Sequence, residues 1–209
     1  MRDSDDNTPN ALQAHRPSRR NDILEAAIRQ FARKGLVDTA VTEVAEEANV
    51  AATAIYYHFS GKEELFSAAV KRVFQSISDV VAAVRDDDEP ATPASLAAVI
   101  DAVWNWIDDH PDEATLLYLQ LPGTTRQITT LRQEFEDQHA QRAFAYFGGE
   151  GPRRTSAARR ATETLTVRTL IDLLISVHTM RLADGPLSDE PSTKLRRAVH
   201  ELADRLMNT

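Results

Sequence analysis

The chain has 209 residues, of which 42% are hydrophobic and 27% charged, with a formal net charge of −8 and no cysteine. That is enough apolar content for one or two packed domains; the missing cysteines exclude disulfides, thiolate metal sites and cysteine nucleophiles. No apolar run approaches the roughly 20 residues of a membrane span, and the polar start MRDSDDNTPN lacks a signal-peptide pattern, so a cytoplasmic protein without a membrane partner is expected.

Residues 1–17 carry Pro9 and Pro17 and no periodicity, and read as a flexible arm ending in Arg16, Arg19 and Arg20. Ile23, Leu24, Ala27, Ile28 and Phe31 then share one helical face, with Asp22, Glu25, Arg29 and Arg33 opposite. Gly35 suits the left-handed end of that helix. Thr39 suits the N-cap of a second helix, whose apolar positions are Val41, Val44, Ala45 and Ala48. Asn49-Val50 makes a tight break, because asparagine tolerates the left-handed region. A third helix follows over Ala52–Phe59, with Ile55 and Phe59 inward. Ser60-Gly61-Lys62-Glu63 reads as a capping box opening a fourth helix. That helix carries Leu65, Phe66, Ala69, Val70, Val73, Phe74 and Ile77 to a core and runs to about Arg85.

The acidic run Asp86–Pro90 reads as a solvated linker. Beyond it, proline and glycine separate helices expected over about 93–109, 111–121, 126–147, 155–183 and 191–208. No alternating strand pattern or solenoid repeat is visible. The fold class expected is all-α, with about nine helices.

Two short helices joined by a tight turn, behind a stabilising helix, form the layout of a helix-turn-helix. In that layout the third helix lies in the major groove, with Ala52, Thr53, Tyr56 and Tyr57 outward. Small residues allow close approach, alanine and threonine methyls can meet thymine methyls, and tyrosine hydroxyls can bond phosphate. The charge permits this: residues 16–62 carry a net +1, while residues 63–209 carry −7. Lys62 sits in the first turn of its helix, where the macrodipole disfavours a cation. A backbone phosphate there would explain it; a merely exposed lysine is the other reading.

The run Ile23-Leu24-x-Ala26-Ala27-x-x-x-Phe31-x-x-x-Gly35, Thr39, Val44-Ala45-x-x-Ala48-x-Val50, Ile55-Tyr56-Tyr57-His58-Phe59-x-x-Lys62-Glu63-x-Leu65 resembles the DNA-binding domain of the TetR family over about residues 20–68. The resemblance implies that Thr39 caps the second helix near a phosphate. It sets Tyr56, His58 and Lys62 at backbone-contact positions and Ala52, Thr53 and Tyr57 nearest the bases. His58 can equally be a structural histidine, and the arm arginines either reach the minor groove or belong to a solubilising tail. Asn49 departs from the usual turn glycine, Ala40 and Ala51 from common hydroxyl residues, and Ala54 from threonine.

The organisation implied is an arm (1–17), a helix-turn-helix domain (18–62) and a helical ligand-binding and dimerisation domain (63–209). The partners implied are double-stranded operator DNA, a second copy through helices 155–183 and 191–208, and a small-molecule effector of unknown identity. Leu165, Leu170, Ile171, Leu173, Leu174, Ile175 and Val177 make the first of those two helices too apolar for one buried face; the second face meets either a partner subunit or the subunit's own interior. Candidate pocket residues are Trp104, Tyr118, Leu121, Leu131, Phe135, His139, Thr169 and His178.

An enzyme lacks its parts. Glu136-x-x-His139 is half of a di-iron bundle site without a second half. HExxH, GxSxG and a phosphate-cradling glycine loop are all missing from the sequence. No cofactor is expected. The expected function is a transcriptional regulator, most simply a repressor released from a palindromic operator by a ligand. The rival readings are a helical interaction adaptor and a ligand-independent repressor or activator.

Overall fold

The computed structural model describes residues 19–85, 92–121, 125–147, 157–182 and 184–207. Among them are nine α-helices and no strand: α1 (Arg19–Asp38), α2 (Val41–Glu47), α3 (Ala52–His58), α4 (Lys62–Val84), α5 (Pro93–Asp109), α6 (Pro111–Thr115), α7 (Arg126–Phe147), α8 (Ala157–Leu182) and α9 (Ser192–Met207). Between α6 and α7, Leu116–Gln120 form a π-helical turn. The arm with Arg16, the acidic run Asp86–Pro90 and the breaks at Pro122-Gly123 and Gly148–Pro152 lie outside the described residues.

The apolar stripe of α1 is buried as its spacing predicts: Ile23, Leu24, Ala27, Ile28 and Phe31 all face inward. Phe31 meets Phe66 of α4 edge-on at 4.9 Å between ring centroids, a favoured aromatic geometry. Gly35 has φ 73° and ψ 178°, a region open only to glycine. There α1 bends, and the chain turns toward α2.

A single carboxylate ties α2 to α1. Glu47 accepts from Gln30 Nε2 at 2.6 Å, from Arg29 Nε at 2.5 Å and from Arg33. Burial pushes the Glu47 carboxyl up, yet the hydrogen bonds from Arg29 and Gln30 and the charge of Arg33 outweigh it and hold it below its usual value. Lys34 pairs with Glu43 in parallel.

The first helix of the motif differs from the sequence expectation at its cap. Ala40, one residue later than expected, is the N-cap of α2, and its N–H donates to the Glu43 carboxylate at 3.0 Å. Thr39 is 1% exposed and donates its hydroxyl to the Gly35 carbonyl at 2.7 Å. It therefore closes the end of α1 instead of opening α2. The α4 cap is likewise displaced. Gly61 is the N-cap and offers no side chain, while the Ser60 N–H donates to Glu64, not Glu63, at 2.6 Å.

Asn49 occupies the left-handed region, with φ 53°, as the tight break requires. Asn49→Val is expected to lose about 1–2 kcal/mol, since β-branching is strained at positive φ. Asn49→Gly should stay within a few tenths, because eased backbone strain offsets added freedom in the unfolded chain. Urea unfolding of the two variants checks this; equal losses would remove the conformational explanation.

Buried apolar residues form two clusters. The first joins α1–α4 to Val103, Trp106 and Ile107 of α5, to α6 and to the π turn. The second contains Leu96, Ile100 and Trp104 of α5, Leu170 and Val177 of α8, and Leu195, Val199 and Ala203 of α9. Helix α5 thus serves both cores, one with each face. The α1–α3 unit rests on the rest of the molecule through α4 and also through α6 and the π turn, which pack on α1.

Candidate functional site

Helix α3 is held from inside. Ile55 and Phe59 are buried in the first cluster, and the guanidinium of Arg20 lies 5.1 Å above the Phe59 ring. That clamp turns the opposite face outward. Thr53 is exposed, Tyr56 is 58% exposed and Tyr57 is 84% exposed. Ala52 is half-buried and packs against the core edge. The three residues thus form a short projecting face whose N-terminal end is small, the shape a groove-reading helix needs.

His58 is half-buried at the end of α3, its ring edge-on to Tyr57 at 5.0 Å and 82°. It buttresses Tyr57, the more exposed of the two α3 tyrosines. The Lys62 amine donates to the Val37 carbonyl at 2.9 Å. A cation at the end of α1 suits the helix dipole there, so Lys62 has an intramolecular partner that neither sequence reading included. Thr39 departs furthest from its implied role, since its hydroxyl points into the fold. Arg20 stacks on Phe59, and Arg19 opens the first turn of α1.

The second half holds a buried polar cluster. Trp104, Tyr118 and His178 of the expected pocket set come together. The His178 ring lies 4.7 Å from that of Trp104 and 5.5 Å from that of Tyr118. Leu121, Leu131 and Phe135 stay in the first cluster, where Phe135 stacks on Phe74 at 3.8 Å. Thr169 is exposed on α8, and the His139 side chain lies outside the described residues.

Residues the sequence reading missed complete that cluster. Arg181 donates from Nε to His178 Nδ1 at 2.9 Å, pairs with Asp108 at 2.6 Å and lies 4.8 Å above the Trp104 ring. Trp104 Nε1 donates to Ser192 at 2.7 Å, and Ser192 reaches Asp108 at 3.2 Å. Burial, then the Arg181 charge, pushes the His178 imidazole down to about 3 against a smaller upward pull from Asp108. Burial raises the Tyr118 phenol well above its usual range. Among the described residues no group of three His, Cys, Asp or Glu could hold a metal, and no helix is long and apolar enough to cross a membrane.

Residues 23–69 match the family model described as bacterial regulatory proteins, tetR family. The HTH-type transcriptional repressor NicS of Pseudomonas putida is 29% identical over 107 residues, 51% of this chain and 49% of that protein; the chain spans about half the length of the curated relatives it matches. A transcriptional regulator from Rhodococcus sp. RHA1 superposes with a TM-score of 0.74 at 17% identity, covering 90% of this chain and 96% of that one. The regulator FadR from Bacillus subtilis, in complex with stearoyl-CoA, gives a TM-score of 0.70 at 17% identity, covering 88% and 96%. The motif over residues 23–69 is thus similar to that of the tetR family of bacterial regulatory proteins, and it sits on a fold shared along nearly the whole chain with these solved structures.

Proposed function

We propose that the protein is a homodimeric DNA-binding repressor, released from a roughly palindromic operator by a small molecule. The observation that carries this reading is the projecting face of α3: Thr53, Tyr56 and Tyr57 outward on a helix whose other face is locked by Ile55 and Phe59. Two such helices would enter successive major grooves about 34 Å apart. Tyr57, with Thr53 and Ala52, would meet base edges; Tyr56, His58 and Lys62 would meet the backbone. The repressor NicS supports the sign of regulation by analogy, and the acyl-CoA bound by FadR supports an effector in the helical half.

Dimerisation rests on α8 and α9. Leu165 of α8 is 66% exposed and Leu202 of α9 is also exposed in the single chain. A two-fold interface would cover both faces with their own copies. Effector binding would shift the population between two separations of the reading heads, acting through α4 and through the contact of the π turn with α1.

Fluorescence anisotropy with DNA from the protein's own upstream region, at two salt concentrations and with random competitor, tests the core claim. Saturable binding of two chains per site that survives competitor is expected; binding that random DNA removes counts against it. Tyr57→Ala should change sequence preference. Lys62→Ala should weaken all DNA alike and lower the salt slope by about one unit. Identical effects of both on specific and random DNA would sink the assignment of roles.

A further inference from the structure

Three ring contacts link the first turn of α1 to the outermost tyrosine of α3. The Arg20 guanidinium lies 5.1 Å above the ring of Phe59, which is 2% exposed. His58 meets Phe59 at 6.3 Å and 60°, and it meets Tyr57 at 5.0 Å and 82°. Side chains one position apart on a helix diverge and do not face each other. The edge-to-face contact of Tyr57 and His58 is therefore a choice of rotamer, not a result of their spacing. Among the described residues no hydrogen bond holds either side chain. Ring packing alone places them: the half-buried His58 leans on a core ring, and Tyr57, 84% exposed, leans on His58.

We propose that His58 is a positioning residue: its ring holds Tyr57 in one rotamer and so sets how sharply the protein tells its operator from other DNA. The proposal rests on the reading that α3 meets base edges. An exposed tyrosine without a neighbour samples several staggered χ1 wells. Ordering it only on binding lowers affinity for the right sequence, whereas a ring ordered beforehand avoids that cost. A fixed ring also discriminates better, because it cannot turn to accommodate a wrong base pair. The buried Phe59, clamped by Arg20, gives this arrangement an immobile base. Positioning is separable from a phosphate contact by the same imidazole. A phosphate contact acts on all DNA alike, while positioning acts on the ratio of specific to random binding.

Two variants of the full-length protein test it. His58→Phe keeps an aromatic ring and loses the nitrogens; His58→Leu loses the ring. The DNA probe is the duplex that the wild type selects most tightly from random sequence, measured against a random duplex. In His58→Leu the ratio of the two affinities should fall about three- to tenfold, the range an edge-to-face ring pair supplies. In His58→Phe it should stay within about twofold, even where binding to both duplexes weakens. With Tyr57→Ala already present, His58→Leu should leave the ratio unchanged. Three-bond couplings at Tyr57 in the free protein should report one χ1 rotamer in the wild type and in His58→Phe, and an average over several in His58→Leu. Equal losses of the ratio in the two variants, an unchanged ratio in His58→Leu, or the same loss without Tyr57 would each overturn the proposal. If His58→Leu does not fold, the couplings of the wild type and of His58→Phe decide. Rotamer averaging at Tyr57 in the wild type would overturn the positioning role alone. A wild type that selects no sequence would overturn the reading of α3 along with it.

Discussion

Gly35→Ala is expected to lower stability by about 3 kcal/mol, which for a chain of this size moves Tm down by roughly 6–12 °C. Two causes add. At φ 73° and ψ 178° a Cβ is strained whatever the surrounding space. An added Cβ would also stand 2.8 Å from Gln120 Oε1. Gln120 Nε2 donates to the Ala32 carbonyl at 3.1 Å, so moving the glutamine away forfeits about 1 kcal/mol. Gln120→Ala alone should lose that smaller share, and the double variant should lose less than the sum of the two. Calorimetry of the three variants decides. A Gly35→Ala loss below 1 kcal/mol would mean the bend in α1 relaxes freely.

Phe31→Ala should cost about 3–5 kcal/mol. Phe31 and Phe66 are both fully buried, and their edge-to-face contact adds roughly 0.5–1.5 kcal/mol beyond burial. Total stabilities run near 5–15 kcal/mol, so α1–α3 should lose most of their protection from hydrogen exchange while α8 and α9 keep theirs. Phe31→Leu keeps more of the volume and should lose roughly 1–2 kcal/mol. Uniform loss of protection along the whole chain would show that the two clusters unfold as one.

Most of the helical plan was legible because it depends on short-range periodicity. The buried stripes of α1 and α4 follow from apolar spacing, and the left-handed Asn49 follows from local backbone preference. Cap positions were one residue out, at Ala40 and at Glu64, because adjacent polar residues compete on fine geometry. The π turn was hidden inside a segment read as one helix, since a single-residue change of register leaves composition untouched. The exposed face of α3 was legible residue by residue; the partner of Lys62 was not, because Val37 lies 25 positions away and offers only a carbonyl. The cluster around His178 was legible in part. Trp104 and His178 stand out as a buried-type aromatic and a histidine on apolar faces, whereas Arg181, Asp108 and Ser192 are ordinary surface residue types brought together across 73 to 84 positions.

The carboxylate hub on α2 has a consequence for how such a protein would find its site. Glu47 and Glu43 together occupy Arg29, Arg33 and Lys34, three of the cations in the reading head. Charge already neutralised within the fold releases few counterions from the duplex, so sequence-independent attraction to DNA stays low. Under the proposed repressor reading, a molecule built this way would spend little time sliding along unrelated DNA; it would reach its target mainly by repeated encounters from solution and dwell only where base contacts hold it.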